Sequence, residues 1–154
     1  PEAQLDRFMF NIPLGYPTRE EEMEVVRQTT SDRQVSLKHI LNAEQISSFQ
    51  QVIRKIPVPD NVLSYAVETV SKTRPLENTA ADVVKEYVNW GAGPRASQYL
   101  ILGAKANAAM AGKYSPDIED VREVAPFVLR HRMVRNYKAE AEGIGMDEIV
   151  GNIL

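Results

Sequence analysis

Cysteine is absent from this chain and histidine is rare, with His39 and His131 as the two copies. Without a thiol, the protein can form neither a disulfide nor a thiolate metal site, and a reducing compartment is compatible with this composition. The two histidines lie far apart in sequence and lack the spacing of metal ligands, so we interpret them as surface or helix-packing residues. We therefore expect no metal site in this chain.

Long apolar runs and an excess of positive charge are also missing. No run approaches the ~20 residues of a membrane-spanning helix, and no signal-peptide pattern is present. The formal net charge is −3, which argues against a general nucleic-acid binder. Arg130, His131 and Arg132 form a basic cluster without interleaved aromatic residues, and cations near a helix end complement its dipole. We expect neither a membrane span nor a nucleic-acid site, and binding that falls steeply with salt would contradict the second expectation.

The motifs of common catalytic sites are missing as well. Gly112-Lys113 is followed by Tyr114, and no glycine stands five residues before Gly112, so this pair does not belong to a phosphate-binding P-loop. No apolar strand ends in paired acids that could hold magnesium, and no nucleophile elbow is present. We expect that these residues do not catalyse a reaction by themselves.

What the chain does contain is a series of helix signals. Its 154 residues, 44% hydrophobic and 25% charged, suit one soluble globular domain, or one domain plus a fragment of another. Thr18 and Asn42 each stand three residues before a Glu or Gln, which is the pattern of a capping box. Ser115 is expected to cap a later helix, and Pro126 is expected to kink it. The predicted helices cover about 18–29, 42–56, 60–74, 83–88, 94–110, 116–129 and 146–153.

The first segment differs from the rest. Phe8–Ile12 is a short run of apolar, aromatic and branched residues that ends at Pro13, a pattern that predicts a buried strand followed by a linker. The chain starts at Pro1 rather than at methionine, and a lone strand needs a sheet. We therefore expect a piece of a longer protein, with 1–17 as the end of an α/β core and 18–154 as a helical domain. Without its sheet, the strand would be mobile or would pair with a second copy.

The run from Trp90 to Ser97 has the pattern of a loop that opens a helix. Gly93 suits the N-cap, and Pro94 suits the first helical position because its missing N–H would have been unpaired there. Arg95 then lies at the positive end of the helix dipole, which disfavours a cation unless an anion joins it. A phosphate would be bound both by the free N–H groups and by the guanidinium. The motif alone leaves two interpretations open, a phosphate-sensing arginine and an ordinary surface arginine.

Several separated motifs, in the same order, resemble the C-terminal part of MoxR-type AAA+ ATPases, and the resemblance covers nearly the whole chain. Gly91–Ser97 is similar to the family's sensor 2 motif, where serine is more usual than Gly93, and residues 76–90 are less typical of the family. The resemblance implies a mainly α fold, an AAA+ lid-like helical bundle preceded by a short strand left over from a truncated α/β core. It assigns 1–17 to the end of the nucleotide-binding core and a linker, and 18–154 to the helical lid. The other matching segments are Pro1–Phe8, Tyr16–Pro17, Glu20–Glu22, Val58–Pro75, Tyr114–Val121 and Val128–Arg132.

The resemblance also implies roles for two arginines. Arg95 would be the sensor 2 residue. Together with Gly93 and Pro94, it would bind the phosphates of ATP held by the same subunit. Arg7 would be the arginine finger, which reaches the γ-phosphate bound by the neighbouring subunit of a ring, and an ion pair with Glu2 or Asp6 is the ordinary alternative. ATP and Mg²⁺ would be bound by the longer parent protein, because the P-loop and the magnesium-binding acids are not in this chain. Neither is expected to bind tightly to this chain.

For the longer protein, the resemblance implies ATP hydrolysis coupled to lid movement, and chaperone-like remodelling or maturation of partner proteins. It further implies a homo-oligomeric ring, expected to be a hexamer, a cytoplasmic location, and partners with von Willebrand A-like domains. The alternative is a helical protein-interaction module with no nucleotide role. A Gly-Lys-Thr-type loop encoded before Pro1 would distinguish the two, since only an ATPase needs it.

Overall fold

The computed structural model describes residues 2–32 and 36–154, with side chains from residue 4 onward. The described part is mainly helical, and its sheet consists of two short strands. In chain order, the elements are α1 Glu2–Leu5, α2 Arg19–Thr30, α3 Ala43–Lys55, α4 Asp60–Lys72, α5 Asp82–Tyr87, β1 Val88–Trp90, α6 Pro94–Met110, α7 Ile118–Leu129, β2 Val134–Arg135, α8 Tyr137–Glu142 and α9 Met146–Gly151.

The hydrophobic core lies where α6 packs against α7 and α4. Leu100 of α6, Leu129 of α7 and Val62 of α4 are almost fully buried there. The face of α6 toward α7 carries small residues, and a Cβ added at Gly103 would lie 3.3 Å from the Val124 side chain. The small residues of α6 therefore allow the two helices to pack tightly.

The helix starts confirm two capping signals and correct a third. The capping boxes that begin at Thr18 and Asn42 are both formed. However, α7 is capped by Asp117 rather than by Ser115: Asp120 N donates to Asp117 Oδ1 at 3.1 Å, and Asp117 N donates to Asp120 Oδ2 at 2.8 Å. A carboxylate accepts these bonds more strongly than a hydroxyl does, so α7 begins later than predicted. The helix then continues through its internal proline to its last residue.

A small antiparallel ribbon, which the sequence did not indicate, joins β1 to β2. Trp90 pairs with Val134 and Val88 pairs with Arg135, with an irregularity between the two pairs. The ribbon places the basic stretch after α7 beside the loop that leads into α6. Two regions about 40 residues apart in the chain are thereby brought to one side of the bundle.

The predicted strand at Phe8–Ile12 is wrong, because the described residues of this segment form no strand. The segment lies instead against α6 and α7 of its own chain. Asn11 N donates to Phe127 O at 2.9 Å, and the rings of Phe10 and Phe127 meet edge to face with centroids 6.3 Å apart. Its carbonyls accept hydrogen bonds from side chains that follow α7, so the segment satisfies its backbone without a sheet.

The helices before α4 leave apolar side chains exposed. α2 has no buried residue, and Met23 and Val26 are about half exposed on it. On α3, Phe49 and Val52 are exposed to a similar extent, while Lys105 Nζ of α6 donates to the carbonyl of Arg54 at 3.0 Å. Among the described residues, none of the helices has the length and apolar character needed to cross a bilayer.

Candidate anion site at the start of α6

The first turn of α6 has the geometry that the sequence predicted. Gly93 is the N-cap, in extended conformation with φ −82° and ψ 177°, and Pro94 is the first helical residue. Because glycine has no side chain to accept a hydrogen bond, the first N–H groups of α6 receive no side-chain cap. Pro94 has no N–H group and Ala96 N donates to Gly93 O at 3.0 Å, so the helix dipole and the N–H of Arg95 are what favour an anion here.

The C-terminal end of α4 holds the loop before α6 in place. Thr73 Oγ1 accepts a hydrogen bond from Ala92 N at 2.9 Å, and Arg74 Nε donates to Ala92 O at 3.0 Å. Gly91 passes so close that a Cβ there would lie 2.2 Å from Thr73 O. Thr73 and Arg74 lie in the segment Val58–Pro75, one of those that resemble the family. The structure shows that this pair positions the loop that leads to Arg95.

Arg95 projects from the first turn and pairs with an acid of its own chain. Its Nη1 forms a short ion pair with Asp6 Oδ2, and the guanidinium is half exposed. The other carboxylate oxygen of Asp6 accepts from Arg132 Nε at 3.1 Å. One carboxylate therefore lies between two guanidinium groups, at the position where the sequence led us to expect an external anion. An oxyanion of similar charge and geometry is the natural replacement for it.

Arg7 lies next to this ion pair. Its side chain is exposed, and its carbonyl accepts a hydrogen bond from Tyr99 Oη at 2.9 Å. The alternative pairing of Arg7 with Asp6 does not occur, because Asp6 is bound by Arg95 and Arg132. Glu2, the other expected partner, has a side chain outside the described residues. The fold thus brings Arg7 and Arg95, which are 88 positions apart in the sequence, to the same region of the surface.

The site opens into a cleft of about 1100 Å³. Arg130 and Arg135 also line it: Arg130 Nε donates to Asp147 Oδ1 at 2.6 Å, and Arg135 Nη1 donates to Ile144 O at 2.7 Å. Trp90, 71% exposed, stands at the wall of the cleft. Guanidinium groups and backbone N–H groups are donors, so this wall suits phosphate or carboxylate oxygens rather than a cation.

His131 also faces this cleft. Its Nε2 lies 2.9 Å from Phe8 O, and its buried Nδ1 has no partner among the described residues. Burial lowers the pKa of His131, and the neighbouring Arg132 and Arg130 lower it further, whereas the bond to Phe8 and the charge of Asp6 oppose the shift. The neutral imidazole with its proton on Nε2 is therefore the favoured form.

Arg132 is the residue of this site that sequence reasoning missed. The basic cluster after α7 was interpreted as complementing a helix dipole, yet the Arg132 side chain is 1% exposed. Burial lowers the pKa of its guanidinium, and Asp6 opposes that effect. The sequence carries no signal that distinguishes Arg132 from Arg130, because burial is decided by how the helices pack. Once buried, the charge requires a full set of partners.

The chain is similar to known proteins along its whole length. Residues 80–153 match the AAA lid domain family. The whole chain is 37% identical to Chaperone MoxR1 of Mycobacterium tuberculosis and 34% identical to the uncharacterized protein YeaC of Bacillus subtilis. It spans 41% and 46% of the lengths of these two proteins.

A solved structure is also similar. The crystal structure of a predicted ATPase from Cytophaga hutchinsonii matches 99% of this chain and 47% of its own chain, with a TM-score of 0.85 and 35% identity. The expected mainly α, lid-like fold is confirmed, apart from the strand at 8–12. Together, the lid domain match and the similarity along the whole chain confirm the resemblance found in the sequence: over its full length, this chain is similar to part of a MoxR-type AAA+ ATPase.

Proposed function

We propose that this chain is the phosphate-sensing lid and finger region of a MoxR-type ATPase, with Arg95 binding nucleotide phosphates and Arg7 acting on the neighbouring subunit. The observation that supports this most directly is the half-exposed guanidinium of Arg95 at an uncapped helix start, paired with a single carboxylate. Gly93 and Pro94 contribute the helix start, whose N–H groups bind phosphate oxygens together with the guanidinium.

Exchange of one anion for another is the proposed sensing step. In this structure, Asp6 neutralises Arg95. A triphosphate carries more charge and more acceptor oxygens than a carboxylate, so it competes for the same guanidinium. The lid then moves toward the nucleotide as a rigid body. The bound Mg²⁺ would neutralise charge on the phosphates, and we place its ligands outside these residues because the cleft offers mainly donors.

The arrangement of the parent protein is part of the same proposal. Residues 1–17 would be the end of the nucleotide-binding core with a linker, and 18–154 the lid. The exposed apolar residues of α2 and α3 would pack against the remainder of the protein. We propose a homo-oligomeric, hexameric ring in the cytoplasm, since a finger that acts on a neighbour needs one. The Mycobacterium tuberculosis relative is named a chaperone, and for this chain we propose remodelling or maturation of partners, including von Willebrand A-like proteins.

Steady-state ATP hydrolysis by the intact protein tests the two arginines. We expect Arg95→Ala and Arg7→Ala each to lower kcat at least about tenfold, equal to about 1.4 kcal/mol of transition-state stabilisation. Arg27→Ala is the matched control, because Arg27 is an exposed arginine of α2 paired only with Glu24 among the described residues. This variant should hydrolyse ATP at the wild-type rate.

Mixed rings distinguish action within a subunit from action on a neighbour. An Arg7→Ala subunit keeps its own Arg95 and inactivates only the site of its neighbour, so rings mixed from Arg7→Ala and Arg95→Ala subunits contain intact sites and should regain turnover that neither variant shows alone. If Arg7 acted within its own subunit, every site in such a mixture would lack one of the two arginines and no turnover would return. Unchanged turnover in both variants would refute the nucleotide role and leave the helical interaction module, with the exposed apolar residues of α2 and α3 as its contact surface.

A further inference from the structure

We propose that Arg132 is a positioning residue for Arg7: its guanidinium fastens residues 6–9 to the lid and so fixes the place of Arg7 beside Arg95. The inference rests on the proposed roles of these two arginines. The attachment by Arg132 links the two mechanically, because it makes Arg7, the proposed finger, move together with the lid.

The hydrogen bonds of Arg132 are the first argument. Nη2 donates to Asp6 O at 2.8 Å and to Phe8 O at 2.6 Å, and Nη1 donates to Met9 O at 3.2 Å. Nε donates to Asp6 Oδ1 at 3.1 Å, while Nη1 also donates to the carbonyl of Val128 in α7. Arginine has five N–H donors in a planar fork, and this fork bridges one segment to the end of one helix.

Tyr99 of α6 completes the attachment. The Arg132 guanidinium lies 4.9 Å from the centroid of the Tyr99 ring, and Tyr99 Oη donates to Arg7 O at 2.9 Å. The carbonyls of four consecutive residues, 6 to 9, therefore all accept hydrogen bonds from lid side chains. The backbone of Arg7 is held on both sides, while its side chain stays exposed.

The irregular backbone of the segment explains why a single arginine can have this effect. A strand or helix satisfies its own carbonyls, whereas residues 6–9 leave theirs for Arg132 and Tyr99. Removal of the arginine would leave the carbonyls of Asp6 and Met9 without their donors, while Phe8 O would keep its bond to His131 Nε2.

Two variants test the attachment in the intact protein. Arg132→Lys keeps the charge but loses the planar fork, so it cannot reach all these acceptors. Tyr99→Phe removes only the hydroxyl that binds Arg7 O. Tyr137→Phe, at a tyrosine that is 85% exposed, is the control. The first readout is hydrogen exchange at the amide of Asn11, which donates to Phe127 O at 2.9 Å.

We expect Arg132→Lys to speed exchange at Asn11 about tenfold or more, and Tyr99→Phe to speed it less. Amides inside α6 should keep their protection in both. In ATP hydrolysis, Arg132→Lys should lower kcat without changing the KM for ATP, and its subunits should regain turnover when they are mixed with Arg95→Ala subunits, as Arg7→Ala subunits do. A loss of stability alone would not produce this recovery.

Unchanged exchange at Asn11 in both variants would overturn the attachment. Faster exchange with unchanged kcat, in a protein that Arg7→Ala does slow, would overturn the positioning role. If Arg7→Ala has no effect on turnover, the proposed finger fails, and the exchange result still decides whether Arg132 holds the segment. If Arg132→Lys unfolds α6, Tyr99→Phe decides both questions.

Discussion

Two buried threonines of α4 allow a sharp test of how the loop before α6 is held. Thr69 and Thr73 are both fully buried and lie one helical turn apart. Thr73 Oγ1 donates to Val70 O at 2.6 Å and accepts from Ala92 N at 2.9 Å. Thr69 Oγ1 has no partner among the described residues. The same substitution, threonine to valine, should therefore have opposite consequences at the two positions.

Thr73→Val preserves the shape of the side chain but removes the acceptor of the Ala92 N–H. Ala92 is 2% exposed, so this N–H stays buried without a partner, which costs about 1–3 kcal/mol. Thr69→Val removes a buried hydroxyl that makes no hydrogen bond, so the free energy of unfolding should stay unchanged or rise. We expect Thr73→Val to be less stable than Thr69→Val by at least about 1 kcal/mol.

Urea unfolding measures this difference, with the slope m unchanged in both variants. In a domain of this size, each kcal/mol corresponds to about 2–4 °C in Tm. Hydrogen exchange at the amide of Ala92 should become faster only in Thr73→Val. Equal stability of the two valine variants would refute the reasoning that Thr73 holds the loop through its hydroxyl. Thr73→Ser, which keeps the hydroxyl, should retain the protection of this amide.

Three further outcomes follow from the same region. Gly91→Ala should lower the free energy of unfolding by about 3 kcal/mol or more, because its Cβ would lie 2.2 Å from Thr73 O; a near-normal urea midpoint would contradict this. Gly93→Ser should raise that free energy by about 0.5–1 kcal/mol, since the N-cap has extended dihedrals and no contact within 4 Å; a lower midpoint would count against it. Burial lowers the pKa of His131 from its ordinary 6.5, so the unfolded state binds the proton more readily. Stability should therefore be lost as the pH falls below about 6.5, and His131→Gln, which can still donate to Phe8, should lack this component; identical pH profiles would rule it out.

The parts of the fold that sequence reasoning predicted correctly depend on local interactions. The capping boxes at Thr18 and Asn42 involve partners three residues away, and the start of α6 depends on Gly93 and Pro94 themselves. Such signals are present in the sequence because helix termini are satisfied by adjacent residues. The misplaced cap of α7 shows the limit of this rule, because the helix is capped by Asp117, two positions after Ser115, and a carboxylate is the stronger acceptor.

The segment at Phe8–Ile12 could not be predicted from its own residues. A short apolar run becomes a strand only if another strand accepts its hydrogen bonds. Here the carbonyls of the segment accept hydrogen bonds from Arg132 and its neighbours, which lie more than 120 positions later in the chain. The ribbon of β1 and β2 could not be predicted either, because strands of two or three residues are too short to show an alternating pattern in the sequence.

The sequence by itself determined the family, the helical character of the chain and the exposed position of Arg95 at a helix start. It did so because capping, apolar periodicity and motif order are properties of neighbouring residues. Only the tertiary structure decided that Asp6 lies between Arg95 and Arg132, that Thr73 holds the loop before α6, and that Arg7 is attached to the lid. These contacts join groups far apart in the chain, and a side chain acquires its partner there only when packing of the helices has brought the two together.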